Sequence, residues 1–216
     1  MAFTGFPLEA VTFYEGLAAD NSRTYWLAHK SGFEASVKAP MIALLEELVQ
    51  YGPFHTFRPN RDVRFSKDKT PYKDHIGSYG ESEGGAGHYV HFSASGLMVG
   101  SGYYDMRSDQ LVRFREAVDV TRTGEELVKL CQRAEANGLE LSAMDALKTA
   151  PRGYAKDHPR IEILRRKGLI TSKIWPLAKW MHTKSVVSRV REAWESGAEI
   201  NEWLDRNVGP STLPPF

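Results

Sequence analysis

At Gly52-Pro53 the spacing of apolar residues changes period, and that change restricts the fold more than any other feature of the chain. Before it the spacing is helical. Pro7 opens a predicted helix with Leu8, Val11, Phe13 and Leu17 as its apolar stripe, ending at "AADN". Asn21 or Ser22 caps the next helix. "NSRTYWLAHKSGFEASV" and "PMIALLEELVQYG" continue the pattern, with Pro40 marking a restart or kink because proline has no backbone N–H. After Pro53 the period falls to two. "RDVRFS", residues 61–66, predicts a strand with Val63 and Phe65 on one side and Asp62, Arg64 and Ser66 on the other. Thr70-Pro71 then imposes an extended or turn geometry, because a residue before proline avoids the helical region.

"GSYGESEGGAG", residues 77–87, reads as a glycine-rich connection. "HYVHFSASGLMVGSGYY" predicts a hairpin about Ser95-Gly96, with Val90, Phe92 and Ala94 on one face and Tyr89, His91 and Ser93 on the other. Helical spacing then returns. "SDQLVRFREAV" follows a Ser108 or Asp109 cap, and "RTGEELVKLCQRAEANG" stops at Asn137-Gly138. "DHPRIEILRRKG" is a short helix ending at Gly168. A last helical region buries Val187, Val190, Trp194, Ile200 and Trp203. Helices, a block of strands, then helices predict an α+β fold. We expect a single domain over residues 1–216, with a largely antiparallel sheet flanked by N- and C-terminal helices.

No stretch approaches the roughly 20 apolar residues of a membrane-spanning helix, and "MAFTGFPLEA" has neither the basic start nor the apolar run of a signal peptide. The expectation is a cytoplasmic protein with no membrane partner. The one cysteine, Cys131, shares a helical face with Leu127 and Leu130, which excludes a disulfide framework and leaves core filling as its role.

A net charge of +1 conceals segregation: residues 58–73 carry +4, residues 148–173 carry +6, and the rest of the chain carries −9. Such blocks focus a positive potential that attracts phosphates or other anions if they cluster in space. The bland alternative for each is a solvated face.

Several segments also carry a resemblance. "FTGFP" at 3–7, "RDVRFSKDKTPYK" at 61–73, "SGLMVGSGYY", "PRGYAKDHP" at 151–159, "LRRK" at 164–167 and the closing "NEWL" together resemble the family of domain of unknown function 2461. The resemblance covers nearly the whole chain. It implies one intact domain of intracellular type and brings no catalytic residues with it, so the chemistry is argued from the side chains.

Two of those segments are the basic blocks, which points to an anionic ligand. Arg64 is the first candidate, because a guanidinium offers a rigid donor fork for phosphate or carboxylate, with Asp62 to orient it and Arg61 beside it. Lys67, Lys69 and Lys73 supply point charges in the turn and beyond. Tyr72, Tyr79 and Tyr103 are candidate stacking platforms. In the second block Arg152 and His158 form a candidate opposite wall, while Asp157 reads as a helix N-cap with Pro159 at the first helical position. The competing reading of Asp62 and Arg64 is a pair that satisfies itself.

Ordinary catalytic motifs are missing. "SKDKT" lacks the glycine of a phosphate-binding loop, "GGAG" lacks a preceding strand, and no Gly-x-Ser-x-Gly elbow occurs. His91 and Ser93 resemble half of a two-histidine phosphoesterase motif, but "MHTKS" and "FHTF" break the spacing of a second copy. His88 and His91 fall on opposite strand faces, and the spacing of Asp62, Asp68, Asp74 and Asp105 specifies no metal. No cofactor is identified. The leading expectation is a protein that binds a nucleotide, phosphosugar or short single-stranded nucleic acid through Arg61, Arg64 and the 67–73 turn. Its rivals are a phosphoester hydrolase using His91 with Arg64, and a protein-interaction module.

Overall fold

A computed structural model of the chain describes residues 2–64, 67–81 and 85–214. The N-terminal helical period is realised as α1 (Leu8–Ala19), α2 (Arg23–Gly32) and α3 (Ala39–Glu46). In α1 the buried residues are Ala10, Val11, Phe13, Tyr14 and Leu17. Leu8, assigned to that stripe from the sequence, is instead 67% exposed, because the 3.6-residue period carries it to the side opposite Ala10 and Leu17. Ser22 caps α2, accepting the Tyr25 N–H at 3.1 Å. Pro40 does not break the helix. A π-helical segment, Phe33–Lys38, precedes it, and Pro40 sits in the first turn of α3, where its missing N–H costs least.

The strands are β1 (Phe54–Thr56), β2 (His75–Glu81), β3 (Gly87–Ser93), β4 (Gly96–Tyr103), β5 (Glu140–Ser142) and β6 (Leu169–Pro176). They form one antiparallel sheet in the order β1-β2-β3-β4-β6-β5. Helices α4 (Ser108–Asp119), α5 (Thr121–Ala136), α6 (Ile161–Leu164), α7 (Ser185–Ser196) and α8 (Ala198–Asn207) complete an α+β fold. The predicted hairpin is β3–β4. Its Gly96 has φ of +137°, and a Cβ there would lie 2.0 Å from the Trp175 carbonyl oxygen, so only glycine fits.

Two compact units can be delineated. The first comprises Met1–Gly80, Tyr89–Val99 and Ile174–Glu192; the second comprises Glu81–His88, Gly100–Lys173 and Ala193–Phe216. In the first unit Phe6 stacks on Phe92 at 4.0 Å, both with no exposed surface, and Phe13 meets Trp26 edge-on at 5.8 Å. The His182 ring donates from Nδ1 to the Phe6 carbonyl at 2.7 Å. In the second unit Trp194 and Trp203 are buried, and their indole N–H groups donate to the carbonyls of Gly100 and Thr123, each at 3.1 Å. Both tryptophans therefore bring apolar area inside without stranding a donor.

Several sequence expectations are corrected. Residues 61–64 form no strand, and Phe65 and Ser66 lie outside the described residues. Residues 77–81, read as the start of a connection, belong to β2, while β1, β5 and β6 were not foreseen. The α4 entry uses neither Ser108 nor Asp109 as a cap: the Arg107 N–H donates to Gln110 Oε1 at 3.0 Å, and the Asp109 carboxylate accepts from the Thr212 N–H and the Ser211 hydroxyl, each at 2.8 Å. In α7 it is Val186 that is fully buried, and Val187 is half-buried.

Candidate functional site

The basic segment is a looped excursion between β1 and β2, closed by backbone bonds. The Arg61 N–H donates to the Pro71 carbonyl and the Lys73 N–H to the Pro59 carbonyl, both at 2.8 Å, about an isolated bridge between Asn60 and Tyr72. The Asn21 side chain clamps the same point. Its amide donates to the Tyr72 carbonyl at 3.1 Å and accepts the Tyr72 N–H at 3.0 Å. Tyr72 is buried and stacks on Trp26 at 4.4 Å, so it anchors the loop and is no ligand platform. Tyr103 is likewise buried, with its hydroxyl donating to Asp205 at 2.9 Å. Tyr79 stays half-buried on β2.

The alternation at 61–64 fails as a strand for a local reason. Asp62 Oδ1 accepts the Arg64 backbone N–H at 3.1 Å, and its two oxygens take the Arg64 guanidinium at 3.0 and 2.7 Å. A side chain that bonds the backbone two residues on offers an alternative to a sheet ladder. The Arg64 contacts hold the Asp62 carboxyl well below the usual carboxylate range. The donor fork expected to meet a ligand is therefore turned onto its own loop, on a side chain 76% exposed.

Other members of the segment are similarly engaged. Arg61 pairs with Asp68 at 2.8 Å and approaches Asp74 at 3.9 Å. Asp68 in turn accepts the Thr70 N–H at 2.9 Å and its hydroxyl at 2.8 Å, which lower its pKa. Lys69 donates to the Val63 carbonyl at 2.8 Å, and Lys67 is exposed.

Lys73 differs. Its ammonium lies 5.1 Å from the centre of the Phe57 ring, and among the described residues it has no ion pair within 4.0 Å. Burial first, then repulsion from Arg58 and Arg61, lowers its pKa. Cations thus converge where β2 begins.

From that point a row of rings crosses the half-exposed face of β1–β3. His55 and Phe57 are 5.7 Å apart, Phe57 and Tyr89 6.4 Å, Tyr89 and His91 5.6 Å, and His91 and His75 4.7 Å. Tyr89 Oη meets His91 Nδ1 at 3.1 Å, and His75 Nδ1 meets Asp74 Oδ1 at 2.8 Å. Gly77 makes this arrangement possible, because a Cβ there would come within 2.7 Å of Tyr89 Oη. Burial, helped by the neighbouring His75 and opposed by Asp74, pushes the His91 imidazole down to about 4. At neutral pH His91 is therefore an uncharged hydrogen-bonding group. It keeps company with Tyr89 and His75, while the guanidinium of Arg64, its expected catalytic companion, is taken by Asp62.

The second basic block belongs to the second unit, where most of its groups have structural tasks. His158 Nε2 meets Asp119 at 3.1 Å, and its Nδ1 accepts the Arg160 N–H at 3.0 Å, so both ring nitrogens are used. The Arg160 guanidinium donates to the carbonyls of Val118 and Asp119 at 2.7 and 2.8 Å. Helix α6 starts only at Ile161, after a turn in which the Ile161 N–H donates to the His158 carbonyl at 3.0 Å. Asp157 is thus exposed and not its cap, and Pro159 is not its first residue. Arg152 is exposed. A shallow crevice in this unit, between α5 and α8, is bordered by the ion pairs Arg133–Glu199 at 3.0 Å and Arg206–Glu126 at 2.6 Å. Among the described residues no group of three or more His, Cys, Asp or Glu could hold a metal ion, and no helix is long and apolar enough to cross a membrane.

Sequence reasoning missed His75 and Phe57. The signal for His75 was the odd-numbered series His75, Gly77, Tyr79, hidden by reading glycines as a linker. Phe57 lay in "FHTF", which was weighed only as a histidine motif. A family model described as "Conserved hypothetical protein (DUF2461)" matches residues 9–203, nearly the whole chain. No curated protein and no solved structure matches it.

Proposed function

We propose, for a chain that belongs to the family of conserved hypothetical proteins DUF2461, that it binds an anionic, phosphate-bearing ligand on the open face of β1–β3. The observation that carries this reading is the position of Lys73: an ammonium over the Phe57 ring, without an ion pair among the described residues, and pressed by Arg58 and Arg61. Like charges held together cost free energy, and a bound anion lowers that cost. The role moves from Arg64, the first choice on sequence grounds, to Lys73, with Arg61 and Arg58 as supporting charges. Lys67 adds attraction at longer range.

Purified wild type, Lys73→Gln and Arg64→Ala are to be melted against inorganic phosphate, phosphosugars, nucleotides, short oligonucleotides and divalent metals. A ligand that binds only the folded state raises the midpoint with its concentration. The expected result is a shift with phosphate-bearing compounds that Arg64→Ala retains and Lys73→Gln loses. A wild type that responds to none of them, or a Lys73→Gln protein that responds like wild type, overturns the reading.

A further inference from the structure

We infer that the histidine pair of β2 and β3 makes this face a catalyst of phosphodiester cleavage: His91 takes the proton of the attacking oxygen, and His75, backed by Asp74, gives one to the leaving oxygen. The inference rests on the anion reading above, with Lys73 meeting the phosphate charge. The two rings come from neighbouring strands, and their centres lie 4.7 Å apart with 32° between the planes. Each is tied through the same atom. His75 Nδ1 meets Asp74 Oδ1 at 2.8 Å, and His91 Nδ1 meets Tyr89 Oη at 3.1 Å. Both Nε2 atoms are thereby left without a hydrogen bond among the described residues, on side chains that are only half-buried.

Their surroundings divide the labour. A carboxylate at Nδ1 orients a histidine ring and supplies the countercharge of its imidazolium. Asp74 does this for His75, and the same carboxylate lies 3.9 Å from the Arg61 guanidinium, which links the pair to the basic loop. His91 faces a phenol and the other imidazole, and burial keeps it uncharged at neutral pH, the form that accepts a proton. Unlike environments for two titratable neighbours set one as acid and one as base. The span also fits. Two-metal sites clamp the attacking and leaving oxygens of an in-line displacement from about 3.5–4 Å apart, and rings at 4.7 Å can address the same two oxygens.

As the attacking oxygen bonds to phosphorus, its proton passes to His91 Nε2. As the bond from phosphorus to the leaving oxygen breaks, the Nε2 proton of the His75 imidazolium passes to that oxygen. Exchange with water then returns the proton from His91 to His75, so only the attacking hydroxyl or water is consumed. Arg61 is already engaged by Asp68, and Lys73 answers the single charge of a diester better than the double charge of a monoester.

The test offers the protein the dinucleotide UpA, its 2′-deoxy counterpart, bis(p-nitrophenyl) phosphate and p-nitrophenyl phosphate, with products followed by chromatography and absorbance. Wild type is expected to cleave UpA and bis(p-nitrophenyl) phosphate, and to leave the monoester. His91→Gln lowers both activities about a hundredfold or more, the scale of one general base. His75→Gln lowers UpA cleavage as much but spares bis(p-nitrophenyl) phosphate, because p-nitrophenolate leaves without a proton. Asp74 is a positioning residue, and Asp74→Asn moves the alkaline limb of the UpA pH profile to lower pH, since His75 then loses its proton more readily. Urea midpoints establish that each variant is folded. Cleavage of UpA alone assigns the attack to the neighbouring 2′-hydroxyl, and cleavage of both dinucleotides assigns it to water. Turnover unchanged in His91→Gln, or no turnover of any diester, overturns the inference. In that event a wild-type melting midpoint that still rises with phosphate compounds leaves the anion site standing; if it does not rise, both fall.

Discussion

His91 shows what one residue's surroundings do to the pH response of the fold. Its imidazole, normally near 6.5, is pushed down to about 4 by burial and by His75, against the opposing pull of Asp74. Between those values the unfolded chain takes up a proton that the folded chain refuses, so acidification favours unfolding. This contribution to stability is fully present above pH 6.5 and is lost as pH falls toward 4. Urea midpoints measured across that window should decline in wild type and decline less in His91→Gln; equal slopes would remove His91 as the cause. The carboxylates held low by their partners, Asp62, Asp68 and Asp74, lose their contribution at lower pH and do not obscure the comparison. The placement of His91 beside Tyr89 on a polar strand face was legible from period two alone. Its nearest charged neighbourhood was not, since Asp74 and His75 come from another strand and its approach.

At the scale of the element, the 57–74 excursion depends on a residue far away in sequence. Asn21 satisfies both the N–H and the carbonyl of Tyr72, and those groups lie beside a buried ring. Asn21→Ala strands two partly buried polar groups, for an expected loss of about 1–3 kcal/mol. The measurement is the urea midpoint at unchanged slope. The same variant should weaken ligand binding through Lys73, whose backbone bond to Pro59 closes the loop next to the clamp. A variant as stable as wild type would show that Trp26 stacking alone holds the loop. "NSRTYW" advertised a cap at Asn21 or Ser22, and Ser22 took it, leaving Asn21 for a long-range task no local pattern encodes. "RDVRFS" failed in the opposite way: the alternation over residues 62–66 looked like a strand, but an Asp two residues before an Arg satisfies the backbone locally. Glycines in β2 concealed a strand because their usual meaning is a turn. Here Gly77 admits the Tyr89 ring and Gly80 the Phe54 ring, where a Cβ would meet each at 2.7 Å.

At the scale of the whole molecule, Cys131 on α5 is a built-in reporter of opening. It is 7% exposed, and burial pushes its thiol up to about 11. Only a thiolate attacks a disulfide reagent, so native protein at pH 8 should resist labelling by dithionitrobenzoate, and labelling should rise with urea along the unfolding curve. Stoichiometric reaction of native protein within minutes would show that α5 opens on its own. The sequence by itself determined the α+β class, the β3–β4 hairpin, the helices on either side, the core role of Cys131, and the faces of Val90, Phe92, Trp194 and Trp203. These follow from periods of 3.6 and 2, which are local properties of a chain that must bury one side of each element. Only the tertiary structure decided the strand order β1-β2-β3-β4-β6-β5, the partners of Arg61 and Arg64, and the ring row that joins Phe57 to His75. Pairing between segments distant in sequence leaves no periodic trace, and a charge counted along the chain does not tell which opposite charge will neutralise it in space.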